Sequence, residues 1–273
     1  MKIEFYGVKT PLINAADNDI VDIILEALNS NKIKLQDKDI IIIASKVISI
    51  IEGCQIPFCN ITHIRQEAKV TAKLAGLDPR FVEVVFQEAD EVLGAVPGAV
   101  LALRDNILQA NAGVDQSNSG GEDFLIVLPR DPIKSAERLR KEIIERTDKQ
   151  IGVIIADSKT HPLRRGTSGF ALAVSGFKPL IDDIGTLDLY GRPMHITTRA
   201  IADNLVCGAE ILMGETNQRV PIVIARGCEE ITFEEPEEIK EFNDQMKISP
   251  QLCIYIGPLL HIRKSKMEQK KHR

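Results

Sequence analysis

The chain has 273 residues, 44% of them apolar, and a formal net charge of −5. That length suits one large domain or two small ones; the acidic balance argues against a nucleic-acid binder, and no apolar run approaches the length of a membrane span. The start, MKIEFYGVKT, carries Lys2 and Glu4 and has no apolar h-region, so it is not a signal peptide, and a cytoplasmic protein is expected. The five cysteines are irregularly spaced without a CxxC, and read as free buried thiols rather than a zinc site.

In chain order, residues 1–10 predict a first strand, and Pro11, Leu12 and Ile13 a short apolar turn. Asp17 to Ser30 reads as an amphipathic helix, with Ile20, Ile23, Ile24, Ala27 and Leu28 on one stripe. Ile40 to Ala44 predicts a buried strand ending on Ser45 and Lys46, and a second apolar run, Val47 to Ile51, leads to Glu52 and Gly53. Thr62 to Ala75 looks helical. Asp78 caps a further helix with Pro79 in its first turn, running to about Leu93. Ala99–Leu103 and Phe124–Leu128 are strand-like apolar runs. Between them lies NAGVDQSNSGG, residues 111–121, which by composition alone is a surface loop. Asp131-Pro132 caps another helix, to about Arg146.

Ile151 to Ala156 is a short β-branched run, predicted to be buried on both faces and to stop on Asp157 and Ser158. Open α/β sheets hold ligands past the carboxyl ends of their strands, so this carboxylate and hydroxyl stand where a ligand or cation would sit. Arg164 and Arg165 follow in a proline-punctuated loop and suggest an anionic substrate, phosphate or carboxylate. A polar turn with a solvated basic loop fits the same residues. Ile196 to Met213 contains a helix with Gly214 at its C′ position, then Glu215, and Pro221 to Ala225 is a further buried strand. Glu229 to Glu241 is acidic and Arg263 to Arg273 basic. The last thirty-odd residues read as an appendage, its basic end solvated or disordered, with Leu252 to Ile256 as a candidate strand docking on the core. No Walker GxxxxGK[ST] and no GxGxxG occurs.

With these pieces placed, the chain resembles the coenzyme F420-0:L-glutamate ligase family. The resemblance rests on an ordered series: Pro11-Leu12-Ile13, Ser49 with Glu52-Gly53, NAGVDQSN at 111–118, LPRDP at 128–132, Gly152 to Asp157, Arg165-Gly166, Asp188 to Gly191, Ala202-Asp203, Met213-Gly214-Glu215 and Arg226-Gly227. NAGVDQSN is its most specific member. The family implies an α/β fold, with mixed sheets and flanking helices in two interleaved lobes, and a homodimer. Residues 1–228 would form the catalytic region and 229–273 a C-terminal appendage. It implies a GTP-dependent amide ligase joining L-glutamate to an acid acceptor such as coenzyme F420-0 through an acyl phosphate. Mg²⁺ or Mn²⁺ would fill two sites, with K⁺ a further candidate cation. Carried over by position, Asp115 and Asp157 resemble ligands of a first metal, and Ser158 and Glu215 ligands of a second. Pro11, Leu12, Ile13, Asn14, Ser45, Lys46 and Asn118 resemble GTP contacts. The loop of Met213, Gly214, Thr216, Asn217, Gln218, Arg219 and Val220 resembles one that surrounds the nucleotide. Arg164 and Arg165 would hold phosphate or the substrate carboxylate. Hard oxygen ligands of this kind are what Mg²⁺ and Mn²⁺ take.

Three segments depart from the family pattern: Ile50 stands where the family has lysine, Ser158-Lys159-Thr160-His161 replaces threonine, glycine and arginine, and Thr216 to Arg219 has lost its glycines. Two other readings therefore stay open, a paralogous ligase with a different acid acceptor and a non-catalytic nucleotide-binding protein of the same fold.

Overall fold

A run of β-branched residues is stable as a strand buried on both faces only inside a sheet covered by helices. Such a sheet forms the centre of the computed structural model, which describes residues 2–16, 19–238 and 240–259. The elements follow in order. β1 is Glu4–Val8, α1 Ile20–Ser30, β2 Ile40–Ala44, α2 Ser45–Ile51 and β3 Gln55–Pro57. α3 (Gln66–Ala75) and α4 (Pro79–Glu88) precede a meander of β4 (Glu91–Val96), β5 (Ala99–Arg104) and β6 (Ile107–Ala110). Then come β7 (Phe124–Ile126), α5 (Pro132–Thr147), β8 (Gly152–Thr160), β9 (Thr167–Ser175), β10 (Leu180–Asp182), β11 (Thr198–Ala200), α6 (Ile201–Met213), β12 (Ile222–Arg226) and α7 (Glu241–Gln245).

The central sheet has the order β1-β12-β2-β8-β9, with β2 and β8 parallel and the other neighbours antiparallel. Its side chains divide by parity. Ile41, Ile43, Val153, Ile155, Ile222 and Ile224 pack with α1 and α5 in one core. Ile40, Ile42, Ile154, Val223 and Ala225 pack with α6 in another. A third core joins α3, α4, β5 and β7. The chain is thus mixed α/β, as read from its sequence.

Several boundaries differ from the sequence expectation. Val47 to Ile51 belongs to α2, because the chain turns into a helix as soon as β2 leaves the sheet. Residues 62–65 are not helical: Arg65 is extended and gives its N–H to Glu83 at 2.8 Å. α4 stops at Glu88, since Glu91–Val96 pairs with β5. β8 does not stop at Asp157 but runs on to Thr160, paired with β9 alone. Leu252–Ile256 forms turns, not a strand. The cysteines are free, but Cys59 is exposed and only Cys54 and Cys228 are buried. Among the described residues no helix is long and apolar enough to cross a membrane.

The segment beginning at Glu229 is joined to the core. Phe242 is buried beneath α6's face of the sheet, and Phe233 bridges to Phe177, their rings 6.1 Å apart. Buried Asn243 accepts from the N–H of Val174 at 2.8 Å and donates to its carbonyl at 3.0 Å, as a neighbouring strand would on the sheet edge. The basic run 263–273 and the first residues of the predicted helix, Asp17 and Asn18, lie outside the described residues.

Candidate active site

Four chain segments meet at one edge of the central sheet. β2 and β8 pair in parallel as far as Ala44 and Ala156, so Ser45-Lys46 and Asp157-Ser158 leave the shared register side by side. β12 runs the other way and begins at this edge, where the Pro221 carbonyl accepts the N–H of Ala44 at 2.9 Å. The exit of β1 is tied in by the Thr10 N–H donating to the carbonyl of Arg219 at 3.0 Å. A ligand crevice at the carboxyl ends of parallel strands is the general rule for such sheets. Here a cavity of about 420 Å³ opens there, within the usual size of small-molecule sites.

Asp115 enters from the NAGVDQSN segment. Asn111, Ala112 and Gly113 in succession hold left-handed backbone, at φ 55°, 52° and 75°. Asn and Gly tolerate that region and buried Ala112 does not, and such strain concentrates at functional sites. A Cβ on Gly113 would lie 2.6 Å from Leu128. The Asn111 side chain accepts the N–H of Val100 at 2.9 Å, and Asp115 pairs through its backbone with Ile126. The Asp115 carboxylate accepts from the N–H of Gln116 and Ser117, from the Ser117 hydroxyl, and from the Lys46 ammonium at 2.6 Å. Burial works against its charge, but Lys46 and these donors outweigh it and hold its pKa below the usual carboxylate value. The Asn118 amide donates to the carbonyl of Thr216 at 3.1 Å, closing this loop against residues 213–220.

Asp157 faces Phe170 across the hairpin, one step beyond a bulge in the β8–β9 register, a device that re-aims side chains beside sites. Burial is the main cause that pushes its carboxyl up to about 6; Asp115 and Glu215 add to the rise, and the Ser158 N–H and Lys46 oppose it. Glu215 follows Gly214, which ends α6 at φ 62°, and accepts the Thr167 hydroxyl at 3.0 Å. Glu210, one turn back on α6, also lines the cavity. Burial and its hydrogen bond to Glu215 raise the pKa of Glu210 against the Thr167 hydroxyl and the Gly169 N–H, while Glu215, buried but bonded by Glu210, Ser158 and Thr167 and close to Lys46, is lowered.

The structure brings together most residues singled out from the sequence. Pro11, Leu12, Ile13, Ser45, Lys46, Asp115, Asn118, Asp157 and Ser158 line the cavity, as do Met213, Gly214, Glu215, Thr216, Asn217, Arg219 and Val220. Asn14 and Gln218 do not; they brace the turn and the loop through Leu12 and Thr216. Arg164 and Arg165 are exposed at the tip of the β8–β9 hairpin, away from the lining. Ile50 lines the wall four residues after Lys46. Among the lining residues that sequence reasoning missed are Thr10, Val206 and Glu210.

The donor set suits a hard cation. Asp115, Asp157, Glu210 and Glu215 offer carboxylate oxygens, and Oε1 of Glu210 is buried without a hydrogen-bond partner among the described residues. No group of three His, Cys, Asp or Glu among those residues is drawn tightly enough to hold a metal ion by itself. Mg²⁺ is ordinarily held by one or two carboxylates together with substrate phosphates, so the arrangement fits a cation bound with a nucleotide.

Residues 7–227 match the F420-0:Gamma-glutamyl ligase family. The chain is 36% identical over 248 residues to a coenzyme F420:L-glutamate ligase of Archaeoglobus fulgidus, covering 88% of this chain and 96% of that protein. It is 38% identical over 229 residues to the enzyme of that name from Methanothermobacter thermautotrophicus, covering 83% and 90%. For the one from Methanocaldococcus jannaschii the figures are 37% over 229 residues, 83% and 88%.

Proposed function

Since the chain belongs to the F420-0:gamma-glutamyl ligase family, we propose that it forms an amide bond between L-glutamate and a terminal carboxylate of coenzyme F420-0, with GTP as phosphoryl donor. The acceptor carboxylate oxygen attacks the γ-phosphorus, the bond to the β-phosphate oxygen breaks, and GDP leaves. The amine of L-glutamate then adds to the carbonyl of the acyl phosphate, phosphate leaves, and the amine proton passes to solvent or phosphate. The observation that carries this reading is the convergence of Lys46, Asp115, Asp157 and Glu215 on one cavity at the carboxyl edge of the parallel strands.

Phosphoryl transfer needs positioning and neutralisation of oxygens more than covalent participation. Lys46 supplies a positive charge held by Asp115 and the Ser117 carbonyl, near the predicted nucleotide contacts. Asp115 and Asp157 would hold one divalent cation, and Ser158 with Glu215 a second. When bound, Mg²⁺ or Mn²⁺ would neutralise charge on the phosphate oxygens. The bond between Asn118 and Thr216 holds the loop that would cover the nucleotide. Arg164 and Arg165, outside the cavity, are left to meet the anionic acceptor.

A second reading, a ligase for a different acid acceptor, is favoured by the Lys159–His161 segment. There Thr160 and His161 replace the family's glycine and arginine, and the Lys159 ammonium before them lies 4.9 Å from the centre of the Phe170 ring. We also propose a homodimer, supported by the exposed apolar side chains between β10 and β11.

Calorimetry tests the nucleotide claim. GTP is expected to bind in the presence of Mn²⁺ and much less in its absence, without any P-loop. No binding of GTP, ATP or GDP with Mn²⁺ would overturn both ligase readings.

A further inference from the structure

We propose that Glu210 is a further metal ligand, gripping the second divalent cation together with Glu215 and Ser158; this rests on the reading of the cavity as a cation–nucleotide site. A glutamate on an amphipathic helix ordinarily faces water. The fold places it elsewhere. Glu210 is in the last turn of α6, where its own carbonyl accepts the N–H of Gly214 at 2.8 Å, and its side chain lines the cavity beside Glu215.

Three observations agree. First, Oε1 of Glu210 is buried and has no hydrogen-bond partner among the described residues, and buried acceptors in folded proteins are almost always satisfied. Second, Glu210 lines the cavity beside Glu215, whose own oxygen is fixed by the Thr167 hydroxyl at 3.0 Å. Two neighbouring carboxyl groups repel unless a proton or a cation lies between them. Third, both acids stand at the carboxyl end of a thirteen-residue helix that has no basic residue in its last turn. That end carries partial negative charge and disfavours carboxylates. A divalent cation held between Glu210 and Glu215 answers all three: it fills the empty acceptor, separates the acids and neutralises the helix end. Two carboxylates, a hydroxyl and phosphate oxygens complete an ordinary Mg²⁺ or Mn²⁺ shell, so no third acid is needed.

The test is a titration of the full chain with Mn²⁺ in the presence of GTP, reading free Mn²⁺ by electron paramagnetic resonance, for the wild type, Glu210→Gln and Glu210→Asp. The wild type is expected to bind two Mn²⁺ per chain. Glu210→Gln keeps the shape and should weaken one of the two by roughly ten-fold or more, leaving the other unchanged. Glu210→Asp keeps the charge and should retain more affinity than Glu210→Gln, an order that a merely structural glutamate would not produce. Wild-type affinity in Glu210→Gln, or weaker binding in Glu210→Asp than in Glu210→Gln, overturns the assignment alone. A wild type that binds no Mn²⁺ overturns the cavity reading with it.

Discussion

Asp157, a proposed metal ligand, would link cation binding to stability. Its carboxyl titrates near 6 in the fold against 3.8 for the free group. Between those values the folded chain holds more protons than the unfolded one, so metal-free stability falls as pH rises from about 4 to about 6, and the loss persists above that range. Its size is at most about 3 kcal/mol. Asp157→Asn removes the charge and should leave the metal-free protein at pH 7 as stable as before or more so, an advantage that disappears below about pH 4. Mn²⁺ is expected to raise the melting temperature of the wild type, by about 2.7 kcal/mol of stability at a hundred-fold excess over the dissociation constant, and the same variant should abolish that rise. Thermal melts at pH 3.5 and 7, with and without Mn²⁺, check both; a full Mn²⁺ shift in the variant would remove Asp157 from the site. Asp115, Asp157 and Glu215 were legible in the sequence because each sits in a segment with a distinctive residue order. Glu210 was not, because nothing local distinguishes it from a solvated helix glutamate. Its one sequence signal is an acid in the last helical turn, five residues before another.

At the scale of elements, the β8–β9 hairpin divides its labour between root and tip. Its root carries Asp157, Ser158 and Thr167, and its tip the exposed Arg164 and Arg165. Replacing both arginines by alanine should raise the KM for the acid acceptor and leave GTP affinity unchanged; steady-state kinetics beside calorimetry separate the two effects, and weakened GTP binding would place the arginines on the nucleotide instead. The hairpin was misread because Asp157 to Thr160 has lost its parallel neighbour and is polar, so hydrophobic pattern no longer marks it as strand. α2 was obscured for the opposite reason: its valine and isoleucines suit strand or helix, and a seven-residue run does not separate them. The chain after Glu229 was read as an appendage because its sequence is acidic and lies past the resemblance. Asn243 nevertheless completes the hydrogen bonds of Val174 on the edge of β9. Asn243→Ala should cost about 1–3 kcal/mol by stranding buried backbone groups, read by denaturant unfolding. An unchanged midpoint would make that segment ornamental.

For the whole molecule, the mixed α/β class followed from β-branched runs alternating with amphipathic helices, and the cavity from where those runs end. What the sequence withheld was the convergence of distant segments: residues 10–13, 45–46, 157–158 and 210–221 meet because β1, β2 and β8 end, and the antiparallel β12 begins, at one edge of the sheet, and Lys46 ties residues 115–118 to them. The excursion between β10 and β11 exposes Leu187, Leu189, Tyr190 and Ile196, with Leu189 99% exposed. Apolar groups so clustered mark interaction surfaces, so light scattering should give the mass of a dimer, and Leu189→Glu with Tyr190→Glu a folded monomer; a monomeric wild type at every concentration would contradict the homodimer. Amide ligation driven by GTP is tested most directly by following the acceptor itself. The full chain is incubated with F420-0, L-glutamate, GTP and Mn²⁺, and both the mass of the acceptor and the phosphate released are measured. The expected result is an acceptor heavier by one glutamyl residue for each phosphate released, with no product when L-glutamate or GTP is omitted. An acceptor of unchanged mass, with or without phosphate release, would contradict it.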